Sequence, residues 1–71
     1  MSQNEKVLKY IDTFGSITTM EAFTALGVTR LSARIWDLRQ DGYNIVSVQK
    51  SGKNKFGEIT NYVEYRRGLD E

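Results

Sequence analysis

The 71-residue chain contains no cysteine, no histidine and no proline. Without cysteine there is no disulfide to stabilise a small domain, and no thiolate to bind zinc or attack a substrate. Without histidine the usual metal ligand and the usual general base near neutral pH are both missing. The remaining nucleophile and acid–base candidates are Ser, Thr, Lys, Asp, Glu and Tyr, and none stands in a catalytic arrangement. An enzyme is therefore not expected, nor a metal or a cofactor. No apolar run approaches the length of a membrane span. The polar start, Met1-Ser2-Gln3-Asn4-Glu5, has no apolar signal core, so the expected location is the cytoplasm. There is no low-complexity tract and no internal repeat.

The apolar fraction of 39% suits a globular domain. The length permits one domain, residues 1–71, whose core is small enough that local signals must carry part of the specification. The net charge of +1 hides an uneven distribution. Residues 1–28 carry Lys6 and Lys9 against Glu5, Asp12 and Glu21, a net of −1. Residues 29–57 carry Arg30, Arg34, Arg39, Lys50, Lys53 and Lys55 against Asp37 and Asp41, a net of +4. Residues 58–71 carry Arg66 and Arg67 against Glu58, Glu64, Asp70 and Glu71, a net of −2. A basic middle is what phosphate binding needs; a solvated surface with clustered charges is the alternative.

Gly15, Gly27, Gly42, Gly52 and Gly57 punctuate the chain into lengths typical of single elements. A first helix is expected over about 3–14, with Ser2 and Glu5 at capping-box spacing and Val7, Leu8, Ile11 and Phe14 on one face. Ser16-Ile17-Thr18 is a short bridge able to pair with a later strand. A second helix is expected over about 19–26. Its cap is Thr18 with Glu21, its apolar stripe Met20, Phe23 and Leu26, and Ala22 and Ala25 are small enough for close helix contact. A third helix is expected over about 30–41, N-capped by Thr29, burying Leu31, Ile35 and Leu38, and stopped by Gly42. The β-branched runs 45–50 and 59–67 read as a hairpin around the loop 51–58. It would pack on the helices through Val46, Val48, Val63 and Tyr65. Gly68 to Glu71 reads as a frayed polar tail. The fold class is α+β: three helices, a short strand after the first, and a C-terminal β-hairpin, the element order of a winged helix-turn-helix.

Two short amphipathic helices joined through Gly27 form a helix-turn-helix, whose second helix fits the major groove of duplex DNA. With Leu31, Ile35 and Leu38 inward, the helical wheel turns Thr29, Arg30, Ala33, Trp36, Asp37 and Gln40 outward, with Ser32 at the boundary. Arg30 near the helix start can donate two hydrogen bonds to guanine or remain solvated. Thr29 and Ser32 can bind phosphate or base, Thr29 alternatively serving only as the cap. Arg34 and Arg39 can clamp phosphates or pair internally with Asp37, Asp41 or Glu21. Trp36 can pack on a sugar or a thymine methyl, or be partly buried structure. In the wing, Lys50, Lys53, Asn54 and Lys55 would reach a flanking phosphate or the minor groove, or form a solubilising tip. Phe56 is expected to tuck under the loop.

Gly15-Ser-Ile-Thr-Thr-Met-Glu-Ala22, Gly27-Val-Thr-Arg-Leu-Ser-Ala-Arg-Ile-Trp-Asp-Leu-Arg39, Gly42-Tyr43, Ile45, Phe56-Gly57 and Tyr65-Arg66 together resemble a family of small helix-turn-helix proteins from bacteriophages and prophages. The resemblance covers most of the chain. It implies a winged-helix fold and DNA binding in phage gene control or DNA handling, which would place the protein in the host cytoplasm. One departure stands out. In the general helix-turn-helix pattern the sixth and ninth positions after the turn glycine are buried and apolar, and here they are Ala33 and Trp36. Either the turn is short or Trp36 is partly core.

The expected partner is double-stranded DNA. One module buries little surface, so a homodimer would strengthen binding, although no dedicated dimerisation helix is present. The alternative partner is a protein, such as a host protein that the chain binds or inhibits, anchored through Trp36 with Tyr43 or Tyr62. A DNA mimic would need a strongly acidic surface, which this charge distribution does not supply.

Overall fold

Local capping chemistry decides where the first two helices begin. In the computed structural model, which describes residues 1–68, Ser2 caps helix α1 (Gln3–Phe14) and Thr18 caps helix α2 (Thr19–Leu26). Each is a complete capping box. The Glu5 N–H donates to the Ser2 hydroxyl at 3.2 Å while the Ser2 N–H donates to the Glu5 carboxylate at 3.3 Å. Thr18 and Glu21 repeat the exchange at 3.2 and 2.9 Å. The hydrogen bonds from Ser2, the backbone one first, hold the Glu5 carboxyl below its ordinary pKa.

Gly27 ends α2 in the left-handed conformation, φ +70°, which a residue with a Cβ adopts only at a cost. That turn lets the Val28 N–H return to the Ala22 carbonyl at 3.0 Å, and Val28 drops into the core. Helix α3 (Leu31–Gln40) follows after four residues. Its end is a Schellman motif: Tyr43 donates to the Leu38 carbonyl and Gly42, at φ +99°, to that of Arg39, both at 3.1 Å. Its start differs from the sequence expectation. The N-cap is Arg30, not Thr29, and no side chain makes a cap hydrogen bond.

The sheet has the order β1-β3-β2, antiparallel throughout, with β1 (Ile17–Thr18), β2 (Ile45–Lys53) and β3 (Ile59–Arg67). The short bridge expected near residue 17 pairs with the hairpin, Ile17 opposite Tyr65 and Thr18 opposite Glu64. The hairpin runs in unbroken register from Ile45–Arg67 to Lys53–Ile59. β2 is thus three residues longer than read from the sequence, and the connecting turn shrinks to residues 54–58. Of the polar tail, Gly68 donates to the Asn44 carbonyl at 2.7 Å, and residues 69–71 lie outside the described residues.

The core is Val7 and Ile11 of α1, Ile17, Ala22, Val28, then Leu31, Ile35 and Leu38 of α3, and Ile45. The expected stripe of α3 is buried as the wheel predicts. Two others are not. On α2 the buried residue is Ala22, while Met20 and Phe23 are 68% and 54% exposed. The small side chain is the one that lets α2 approach its neighbours closely. On the hairpin, alternation places Val46 and Val48 on the face opposite Ile45, so the packed residues are Ile45 and Tyr65. Val46 is exposed, and Val48 and Val63 are half-buried. Phe14 on α1 is also exposed, its ring 4.6 Å from that of Tyr10. Burial, followed by the nearby Glu21 carboxylate, raises the Tyr10 pKa.

Candidate nucleic-acid interface

The core that fixes α3 also determines what it presents. With Leu31, Ile35 and Leu38 inward, Ser32, Trp36 and Gln40 form a row at four-residue spacing on the exposed side, with Ala33 half-buried beside them. Thr29 and Arg30 are exposed just before the helix. Trp36 is 61% exposed, so its ring is not core, and the altered spacing after Gly27 is absorbed by burying Val28 and Leu31 instead. The first turn of α3 has neither a capping side chain nor an acidic residue, which leaves backbone N–H groups open to an acceptor from outside.

The basic side chains fall into two sets. Arg34, Arg39, Arg66 and Arg67 are committed within the fold. Arg34 pairs with Asp37 at 3.2 Å and donates to the Gln3 side chain at 3.2 Å, linking α3 to α1. Asn4 adds a hydrogen bond to Asp37 at 3.4 Å. Arg39 donates to the Ile45 carbonyl and to the Ser47 hydroxyl, so its partners lie on β2 and not among Asp37, Asp41 and Glu21. Arg66 pairs with Glu64 at 2.6 Å. Arg67 pairs with Asp12 at 3.1 Å and lies over the Tyr43 ring, 5.3 Å from its centroid. Arg30, Lys50, Lys53 and Lys55, by contrast, have no ion-pair partner among the described residues. Among the described residues Lys6 and Lys9 have no ion-pair partner either, but they sit in the net-acidic first segment.

The wing turn is built by Asn54. Its Oδ1 accepts from the Phe56 and Glu58 N–H groups at 2.9 and 3.1 Å, and its Nδ2 donates to the Glu58 carboxylate at 3.2 Å. Expected with the lysines to reach nucleic acid, this side chain is instead occupied in forming the turn. Phe56 is not tucked under the loop: it is 87% exposed at the tip.

The helix-turn and the wing meet in an apolar groove of about 510 Å³. Its walls are Met20 and Phe23 of α2, Val28 and Thr29 of the turn, and Tyr62 of β3. Tyr62 stands opposite Lys50 in the hairpin register, so the groove connects the approach to α3 with the basic strand of the wing. Sequence periodicity missed this groove because it assigned Met20 and Phe23 to the core. Thr29, on its wall, is a surface residue of the junction and not a cap. Among the described residues no three His, Cys, Asp or Glu side chains converge to hold a metal ion, and no helix is long and apolar enough to cross a membrane.

A family model described as a winged helix-turn-helix domain matches residues 2–66. No curated protein and no solved structure matches the chain.

Proposed function

Since the chain belongs to the winged helix-turn-helix domain family, we propose that it binds duplex DNA, with α3 in the major groove and the basic wing on the backbone. One observation carries the reading: the cations left unpaired by the fold in the basic middle segment, Arg30, Lys50, Lys53 and Lys55, lie at the start of α3 and along the wing. On this reading Arg30, Ser32, Ala33 and Trp36 meet base edges, sugar or a thymine methyl, and Thr29 meets phosphate with the open N–H groups of the first turn. Lys50, Lys53 and Lys55 contact flanking phosphates, while Asn54 shapes the wing. Arg34 serves mainly to hold α3 on α1. The phage or prophage setting, in gene regulation or DNA handling, rests on the sequence resemblance, and a cytoplasmic location follows from it. A second copy of the chain would add the surface that one module lacks.

The test is the affinity for a random-sequence duplex, followed by fluorescence anisotropy as salt is raised. The three lysine–phosphate contacts predict a slope of log K against log salt of about −2.7. Absence of binding at low salt, or binding indifferent to salt, contradicts the reading.

A second reading, a protein-binding module, draws on the exposed Trp36 and on the apolar groove of Met20, Phe23 and Tyr62. Apolar burial there would give association that survives high salt, which separates the two readings.

A further inference from the structure

The wing ends in an apolar side chain held out by a tightly bonded turn. The Asn54 N–H donates to the Glu58 carbonyl at 3.0 Å, the Gly57 N–H to the Asn54 carbonyl at 3.1 Å, and the Asn54 side chain adds its three hydrogen bonds across the same five residues. Gly57, at φ +77°, provides the bend. Phe56 stands at the apex, the most exposed large apolar side chain of the described residues, and it has no ring partner. Ile59, opposite Lys53, is exposed just behind it. The turn thus holds the Phe56 backbone at the apex and presents its ring to solvent, with Lys53 and Lys55, unpaired among the described residues, near it in the chain. Glu58, the acidic residue of the tip, is drawn to the Asn54 amide. Phe56 and Ile59 exposed at the tip, with Lys53 and Lys55 near them in the chain, suit a partner that is anionic outside and apolar within.

We propose that Phe56 is a wedge: on bound duplex it enters the minor groove, inserts between two base pairs and kinks the helix, while Lys53 and Lys55 hold the phosphates on either side. The proposal rests on the DNA-binding reading above and specifies what the wing does there. The minor groove, about 6 Å wide, is too narrow for a β-hairpin but admits a single side chain from its apex. Apolar wedges of this type unstack a base step and bend DNA toward the major groove, and pyrimidine–purine steps yield most readily. A bend away from the wing would also bring more of the duplex against α3. The rigidity of the Asn54 turn matters, because a loose tip would lose much of the gain in ordering the ring.

The experiment uses a short duplex with central TA steps, a fluorophore at each end, and 2-aminopurine at one TA step in a second preparation. The wild-type protein is expected to raise energy transfer between the ends and to brighten 2-aminopurine as its stack opens. Phe56→Ala should keep its fold, checked by circular dichroism. It should still bind, on the order of ten-fold more weakly, but without the rise in transfer or the brightening. Phe56→Trp should restore both. If Phe56→Ala binds and bends the duplex as the wild type does, the wedge is wrong and DNA binding stands. If the wild type itself binds no duplex at low salt, the underlying reading fails first. If binding to vesicles of anionic lipid, and not duplex bending, is lost in Phe56→Ala, the tip is a membrane contact and the wedge is overturned.

Discussion

Arg39 is bonded to Ile45: its Nε donates to the Ile45 carbonyl at 2.9 Å, and its outer nitrogen reaches the Ser47 hydroxyl at 3.0 Å. The guanidinium fastens the end of α3 to the start of β2, where the helical part of the domain passes into the wing. Arg39→Gln removes a charge-assisted hydrogen bond from a partly exposed site, so a loss of about 1 kcal/mol is expected in chemical denaturation. The slope of DNA affinity against salt should stay unchanged. A shallower slope at full stability would return Arg39 to the phosphate-binding set.

Thr18 has two roles, pairing with β3 opposite Glu64 and capping α2 through its hydroxyl. Thr18→Ala leaves the Glu21 N–H without its acceptor. A loss of about 1 kcal/mol is expected, which for a domain of this size lowers Tm by roughly 4–8 °C. Thr18→Ser should recover most of it. An unchanged Tm in the alanine variant would show that the capping box contributes nothing.

The Glu5 carboxyl is held below its ordinary pKa of 4.5 by the hydrogen bonds from Ser2. Folding therefore favours the ionised form. The resulting stabilisation is present in full above the ordinary carboxylate pKa and disappears as pH falls through the lowered folded value. Melting curves from pH about 7 down to about 3 should show a smaller loss of Tm in Glu5→Gln than in the wild type. Identical pH profiles would contradict the assignment.

How much of this was legible in the sequence depended on the kind of signal. Ser2–Glu5, Thr18–Glu21 and the left-handed glycines at 15, 27 and 42 act over a few residues, and the helix ends fell where they indicated. The inward face of α3 was likewise readable, because Leu31, Ile35 and Leu38 are its only large aliphatics. Packing between elements was not. Ala22 is core and Met20 is surface because α2 lies close to its neighbours, a tertiary fact that favours the smaller side chain over the more hydrophobic one. For the candidate interface, the wheel turned Trp36 outward while the helix-turn-helix spacing left it open as partly core, and its 61% exposure settles it on the surface. The sorting of arginines from lysines was legible in part: pairing of Arg34 with Asp37 was one of the alternatives read, whereas Arg39 and Arg67 find partners 6 and 55 residues away. Asn54 looked like a contact residue and proved to be the hub of the turn, since turn hydrogen bonds do not show in composition.

Removing the three wing lysines together, as Lys50→Gln, Lys53→Gln and Lys55→Gln, should weaken duplex binding and reduce the salt slope by about 2.7. Stability should be nearly unchanged, because none of the three is paired among the described residues. An unaltered slope would remove the wing from the interface.

The most direct test of the account is to follow the backbone amides of isotopically labelled protein as a random-sequence duplex is added at low salt and again at higher salt. The account predicts that amides from Thr29 to Trp36 and from Lys50 to Lys55 move together, that those of the exposed side of α1 stay still, and that the shifts collapse as salt rises. Shifts confined to α1, or none at all, would contradict a DNA interface formed by α3 and the wing.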